Sequence, residues 1–112
     1  MVKQERFSPA GIFNFPILPG TATCNSWRKT FAEHVIPNLA EFKPDFILIS
    51  AGFDAHEKDH IHLSTDTTVT EFDYQWVTEQ LQIVANQCCD GRLVSILEGG
   101  YSTKSGPISP LA

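Results

Sequence analysis

Two short stretches hold the residues best suited to chemistry. Asp54 lies within Ser50–His56, SAGFDAH, and Tyr101 closes Leu97–Tyr101, LEGGY. A carboxylate can ligate a hard or borderline cation. A phenol can donate a hydrogen bond to an oxygen that gains negative charge. Together they suggest metal-assisted attack on a carbonyl. Gly52 precedes the aspartate, and Gly99 and Gly100 precede the tyrosine. Glycine admits positive φ and lets a substrate approach backbone closely. By residue type alone, Asp54 reads more simply as the cap of a turn, and Tyr101 could be a packing aromatic.

The elements that would position them can be read from apolar patterning. Phe46–Ser50 has no period-2 alternation, since Phe46, Ile47, Leu48 and Ile49 put apolar groups on both faces. That is the pattern of a strand covered on both sides in a parallel sheet. Leu93–Leu97, LVSIL, reads as a second buried strand. Gly11–Leu18, GIFNFPIL, reads as a short strand or extended segment, and Pro16 argues for an edge or a strand end. Between these lie two helices. In Asn25–Phe42, Trp27, Phe31, Val35 and Leu39 form one apolar stripe. Thr23 or Asn25 can cap it, and Pro37 should kink or divide it. The second helix begins at Thr70 with Asp73 as a capping box. It carries Val77, Leu81, Val84, Ala85 and Cys88 at helical spacing and stops at Asp90-Gly91. The order strand, helix, strand, helix, strand predicts an α/β fold with a parallel sheet and flanking helices. Loops beyond the carboxyl ends of parallel strands share one edge of the sheet. Asp54 and Tyr101 should therefore face one cleft if their strands are neighbours.

The totals narrow the function further. The chain has 112 residues, 42% of them hydrophobic, and a net charge of −5. Without a basic stripe, direct nucleic-acid binding is not expected. No apolar run approaches the ~20 residues of a membrane span, and the N-terminus lacks the apolar core of a secretory signal. Cys24, Cys88 and Cys89 make a poor disulfide framework and fit a reducing compartment. Cys88 and Cys89 read as partly buried thiols in a helix. His56, His60 and His62 read as a solvated polar loop, His34 as a surface residue, and Glu98 as structural.

SAGFDAH and LEGGY, at this separation and with these intervening elements, resemble the two late signature stretches of zinc-dependent histone deacetylases. The likeness is greatest to class II-like and acetylpolyamine amidohydrolase-like members. Pro19–Thr21 and the helix and strand that follow are similar too, so the resemblance covers roughly residues 12–101. It implies a partial three-layer arginase/deacetylase-like fold. Residues 1–10 are then a loose N-terminal segment, and residues 11–112 the C-terminal portion of the catalytic domain. It implies that Asp54 is a zinc ligand and that Tyr101 hydrogen-bonds the amide oxygen and stabilises the oxyanion. Gly99 and Gly100 would wall a narrow acyl-lysine channel.

The implied substrate is an acetylated protein or an acetylated small amine. The implied partners are the remainder of the domain and corepressor-type proteins, in the nucleus or cytoplasm. The family's other two zinc ligands and its paired general-base and general-acid histidines have no counterpart before Gly11. Catalytic zinc takes three protein ligands and a water, so this chain alone is expected to be inactive. The alternative reading is a catalytically inactive fragment. In the resembling motif His56 is not a ligand. Where the family continues D-P-L-G, this chain has Asp59 followed by His60-Ile61-His62.

Overall fold

The structure is a computed structural model that describes residues 5–7, 11–17, 23–59 and 68–102. Its elements in chain order are β1 (Glu5–Phe7), β2 (Ile12–Asn14), α1 (Cys24–Thr30), a π-helical turn (Phe31–Val35), α2 (Ile36–Phe42), β3 (Ile47–Ala51), α3 (Glu71–Cys88) and β4 (Leu93–Leu97).

The expected parallel pair is present. β3 and β4 run in register from Ile47 opposite Leu93 to Ala51 opposite Leu97, with α3 as the crossover. The expected first strand does not join them. β2 pairs antiparallel with β1, with Glu5 opposite Asn14 and Phe7 opposite Ile12. Phe7 and Ile12 are too close in sequence for anything else, because a parallel pair needs a long crossover connection. Glu5–Phe7 is thus a strand within the segment expected to be loose.

Pro37 divides the first helix as its chemistry requires. It has no N–H to give the carbonyl four residues back, and its ring crowds that carbonyl. The chain responds with the wide turn at Phe31–Val35, where the Ile36 N–H reaches back to the Phe31 carbonyl. Asn38 Nδ2 donates to the His34 carbonyl at 2.7 Å. Thr23, one of the two expected caps, accepts from the Ser26 N–H at 3.2 Å. α2 stops where Lys43 turns left-handed at φ 52°, just before Pro44.

α3 carries the capping box. The Thr70 N–H and hydroxyl both donate to Asp73 Oδ2, at 2.7 and 2.8 Å. Asp73 is almost fully buried, and its other oxygen accepts from Arg28 Nε on α1. The Arg28 guanidinium also donates to the Phe72 carbonyl and lies 5.4 Å from the centroid of the Trp76 ring. Burial would raise the Asp73 carboxyl, but hydrogen bonds from Thr70 and Arg28 outweigh it and hold the group below its ordinary value.

Ile47, Val84, Ala85 and Cys89 form the core, with Ile36, Leu39 and Ile49 packed on it. Each valine, leucine or isoleucine among them contributes about 1.5–3 kcal/mol when fully removed from water. Cys88 is half-buried and Cys89 buried, as expected of small hydrophobes. After α3, Asp90 and Gly91 both adopt positive φ, and the Gly91 N–H returns to the Ala85 carbonyl.

Among the described residues, coverage of the sheet on both faces is not found. Ile47 is 6% exposed, whereas Phe46, Leu48, Val94 and Ile96 on the opposite face are 51, 60, 44 and 51% exposed. Apolar residues on both faces show that a strand can be covered twice. They do not supply the second layer, and α2 and α3 pack on the same side.

Two outcomes follow. Asp73→Ala should cost about 1–2 kcal/mol in urea unfolding, because it removes the helix cap and a hydrogen-bond acceptor from the partly exposed Arg28. The Asp73 contribution should be full above the unfolded aspartate value of about 3.9 and lost as pH falls through its lower folded value. A wild-type acid-unfolding curve that Asp73→Ala leaves unmoved would contradict this. Separately, the chain in isolation should self-associate through its bare sheet face. Leu48→Lys with Ile96→Lys should shift it toward monomer in sedimentation. Wild type that is already monomeric with a sharp thermal transition would contradict the second outcome.

Candidate active site

Because β3 and β4 end opposite one another, SAGFDAH and LEGGY leave the sheet along one edge. Two backbone bonds join them there. The Glu98 N–H donates to the Ala51 carbonyl and the Phe53 N–H to the Gly99 carbonyl, each at 2.9 Å. Asp54 follows at once. Its half-buried carboxylate occupies the space that side chains on the two flanking glycines would need. A Cβ on Gly52 would fall 2.8 Å from Asp54 Oδ1, and a Cβ on Gly99 would overlap that same oxygen. The paired glycines form a cradle for one carboxylate. Gly99, expected in a channel wall, lies buried against Asp54. Gly100 sits at φ +123°, a conformation that L side chains rarely adopt.

The loop around Asp54 is anchored on α3 by aromatic rings. Phe53 packs edge-on to Tyr74 at 5.0 Å between centroids, His56 stacks on the same ring at 6.4 Å, and Trp27 meets it at 5.3 Å. Asp54 lies between these two anchoring residues in sequence. Burial first, and then the Asp54 carboxylate, push the Tyr74 hydroxyl well above the ordinary phenol range. That hydroxyl is buried and has no partner of hydrogen-bond geometry among the described residues. The Ala55 amide nearby works in the opposite direction and favours ionisation.

Tyr101 is 49% exposed. Its backbone is held by Asp59, whose Oδ2 accepts from the Tyr101 N–H at 2.7 Å and the Ser102 N–H at 3.1 Å. The expected candidates therefore meet as two loops tied together, with Asp54 seated on Gly99 and Tyr101 two residues beyond it.

The loop histidines differ from expectation. His56 is not solvated; it is 2% exposed. Its Nδ1 accepts from the Lys58 N–H at 3.1 Å and its Nε2 faces Glu71 Oε2 at 3.1 Å. An accepting Nδ1 places the ring proton on Nε2, which then donates to Glu71. The Glu71 carboxyl is lowered, chiefly by its backbone hydrogen bond and then by His56. His34 is half-buried and stacks on Phe15 at 5.5 Å, while His60 and His62 lie outside the described residues. Among the described residues no three His, Cys, Asp or Glu side chains group as a metal-binding set.

The sequence matches the histone deacetylase domain family over residues 5–109. It is 43% identical over 91 residues to type-2 histone deacetylase 1 of Dictyostelium discoideum, covering 81% of this chain and 6% of that protein. It is 40% identical over 92 residues to the chloroplastic histone deacetylase 14 of Arabidopsis thaliana, covering 82% and 21%. It is 41% identical over 91 residues to a probable deacetylase of Archaeoglobus fulgidus, covering 81% and 24%. Among solved structures, the HDA15 HD domain superposes with a TM-score of 0.60 at 34% identity, covering 75% of this chain and 22% of that one. The β3–α3–β4 unit is thus part of an arginase/deacetylase fold. This chain belongs to the histone deacetylase domain family and spans less than a quarter of each of these relatives.

The cradle can be tested without a metal. Gly99→Ala should lower stability by about 1–3 kcal/mol, as overpacking does, and shift the Asp54 carboxyl carbon resonance. An effect no larger than that of the exposed Ser95→Ala would show that Asp54 does not depend on the absence of that methyl.

Proposed function

We propose that this chain contributes one zinc ligand and the oxyanion-stabilising tyrosine to a domain that hydrolyses acetyl-lysine amides or acetylated small amines. The observation that carries the reading is the common edge, with the Asp54 carboxylate seated in the Gly52–Gly99 cradle and the Tyr101 backbone tied to the same loop. Family membership supports deacetylation as the reaction class.

Asp54 fits a zinc ion in chemistry, being a half-buried oxygen donor whose position is fixed by backbone. The other ligands and the general-base histidine would come from outside the described residues. Bound zinc would supply Lewis acidity toward the carbonyl and lower the pKa of its water. The chain's own part falls to Tyr101. Its hydroxyl donates to the amide oxygen, and that bond strengthens as the oxygen becomes anionic. Its exposure leaves it accessible to substrate. Gly100, only partly buried, presents backbone without a side chain, which lets an extended acyl-lysine stem pass closely, while Gly99 serves the Asp54 cradle. Acetylated protein or small-amine substrates, corepressor-type partners and a nuclear or cytoplasmic site belong to the same proposal.

The test uses the zinc-loaded full gene product. Asp54→Ala should abolish tight zinc binding in calorimetry. Tyr101→Phe should leave zinc affinity unchanged and lower kcat by about 10²–10³, as expected for loss of one oxyanion donor. Zinc binding indifferent to Asp54, with no turnover by wild type, would favour the competing reading of a catalytically inactive chain.

A further inference from the structure

Asp59 has no role in the chemistry above, yet it is among the most buried charged groups described, at 2% exposure. A buried carboxylate is costly unless its oxygens are satisfied. Here one oxygen receives two main-chain N–H groups in succession, those of Tyr101 and Ser102. Hydrogen bonds to an ionised acceptor are roughly twice as strong as neutral ones.

What those bonds restrain explains their value. Gly99-Gly100 immediately precedes Tyr101, and Gly100 holds a positive φ. Two consecutive glycines give the chain more conformational freedom than any other pair. The Tyr101 side chain is half exposed, so packing alone does not define its backbone. Asp59 is anchored on the other side. Its N–H donates to the His56 carbonyl at 2.9 Å, and His56 is buried against Tyr74. A continuous hold therefore runs from α3 through His56 to Asp59 and across to Tyr101. Asp54 lies in the same loop.

From this we propose that Asp59 is the positioning residue of Tyr101. Its carboxylate clasps two successive amides and sets the distance between the tyrosine and the Asp54 cradle. This rests on the reading of Tyr101 as the oxyanion donor. Asp59 touches no reacting atom and acts only through Tyr101. A small misplacement of such a donor can cost up to about 10²-fold in rate.

Two measurements test it. In the first, amide hydrogen exchange is followed by NMR on the zinc-loaded full gene product. The Tyr101 and Ser102 amides should be protected in wild type and should exchange at least about tenfold faster in Asp59→Asn, because an uncharged acceptor binds them less well. The β3 and β4 amides should be unchanged. Unprotected wild-type amides, or protection that survives Asp59→Ala, would overturn the clasp.

The second measures kinetics on the zinc-loaded full gene product. Asp59→Asn should lower kcat about tenfold and Asp59→Ala further, with KM within about twofold and zinc content unchanged. In a Tyr101→Phe background both substitutions should change kcat by less than about twofold, because they act through a hydroxyl already removed. Equal losses in both backgrounds would show that Asp59 merely supports the fold and would overturn the proposal. If Tyr101→Phe itself leaves kcat unaltered, the oxyanion reading fails, and the exchange data then report on the clasp alone.

Discussion

The in-register parallel pairing of β3 with β4 is the constraint on which the rest depends. It places Ala51 opposite Leu97, so both strands end at the same level. Everything beyond is short-range. The bonds from Glu98 to Ala51 and from Phe53 to Gly99 extend the ladder past the strands and leave two glycines facing one carboxylate. A register slip by one residue would reverse which face each side chain occupies. It would also separate Gly99 from Asp54. Site geometry and strand register are in this sense one property.

The helices hold that register at its base. Ile47 begins β3 buried against Val84 and Ala85 of α3, and its N–H donates to the Arg92 carbonyl at the entrance to β4. Near the site, α3 contributes Tyr74, on which the rings of Phe53 and His56 rest. α1 is drawn to α3 by the Arg28–Asp73 pair. The same helix therefore serves the core with one end and the candidate site with the other.

Much of this was legible in sequence wherever the cause is local. The capping box of Thr70 and Asp73, the stop at Asp90-Gly91 and the interruption at Pro37 each depend on a few neighbouring residues, and each is found. The pairing of the two LVSIL-like runs followed from their apolar character and the helix between them. The cleft was legible because parallel topology puts consecutive loops on one edge. What local sequence does not carry involves distant partners or a second layer. Nothing near Asp59 reveals that its oxygen meets amides 42 and 43 residues away. Arg28 and Asp73 are likewise 45 positions apart. His56 reads as solvated because its neighbours in sequence are polar, while its burial comes from Tyr74, Val69 and Glu71. β2 reads as the start of the parallel series because patterning reports a strand without naming its partner, which is β1.

The wide turn at Phe31–Val35 ties chain length to rotational phase. α2 presents Ile36, Leu39 and Ala40 to the sheet only because the turn before it holds one residue more than an α-helical turn would. Wound as a regular α-helix instead, the same residues would carry the following helix about 100° further around its axis. Polar positions such as Asn38 and Glu41 would then move toward Ile47. A one-residue change of length in this helix should therefore be tolerated at the wide turn and nowhere else along it, because only there can the winding absorb it.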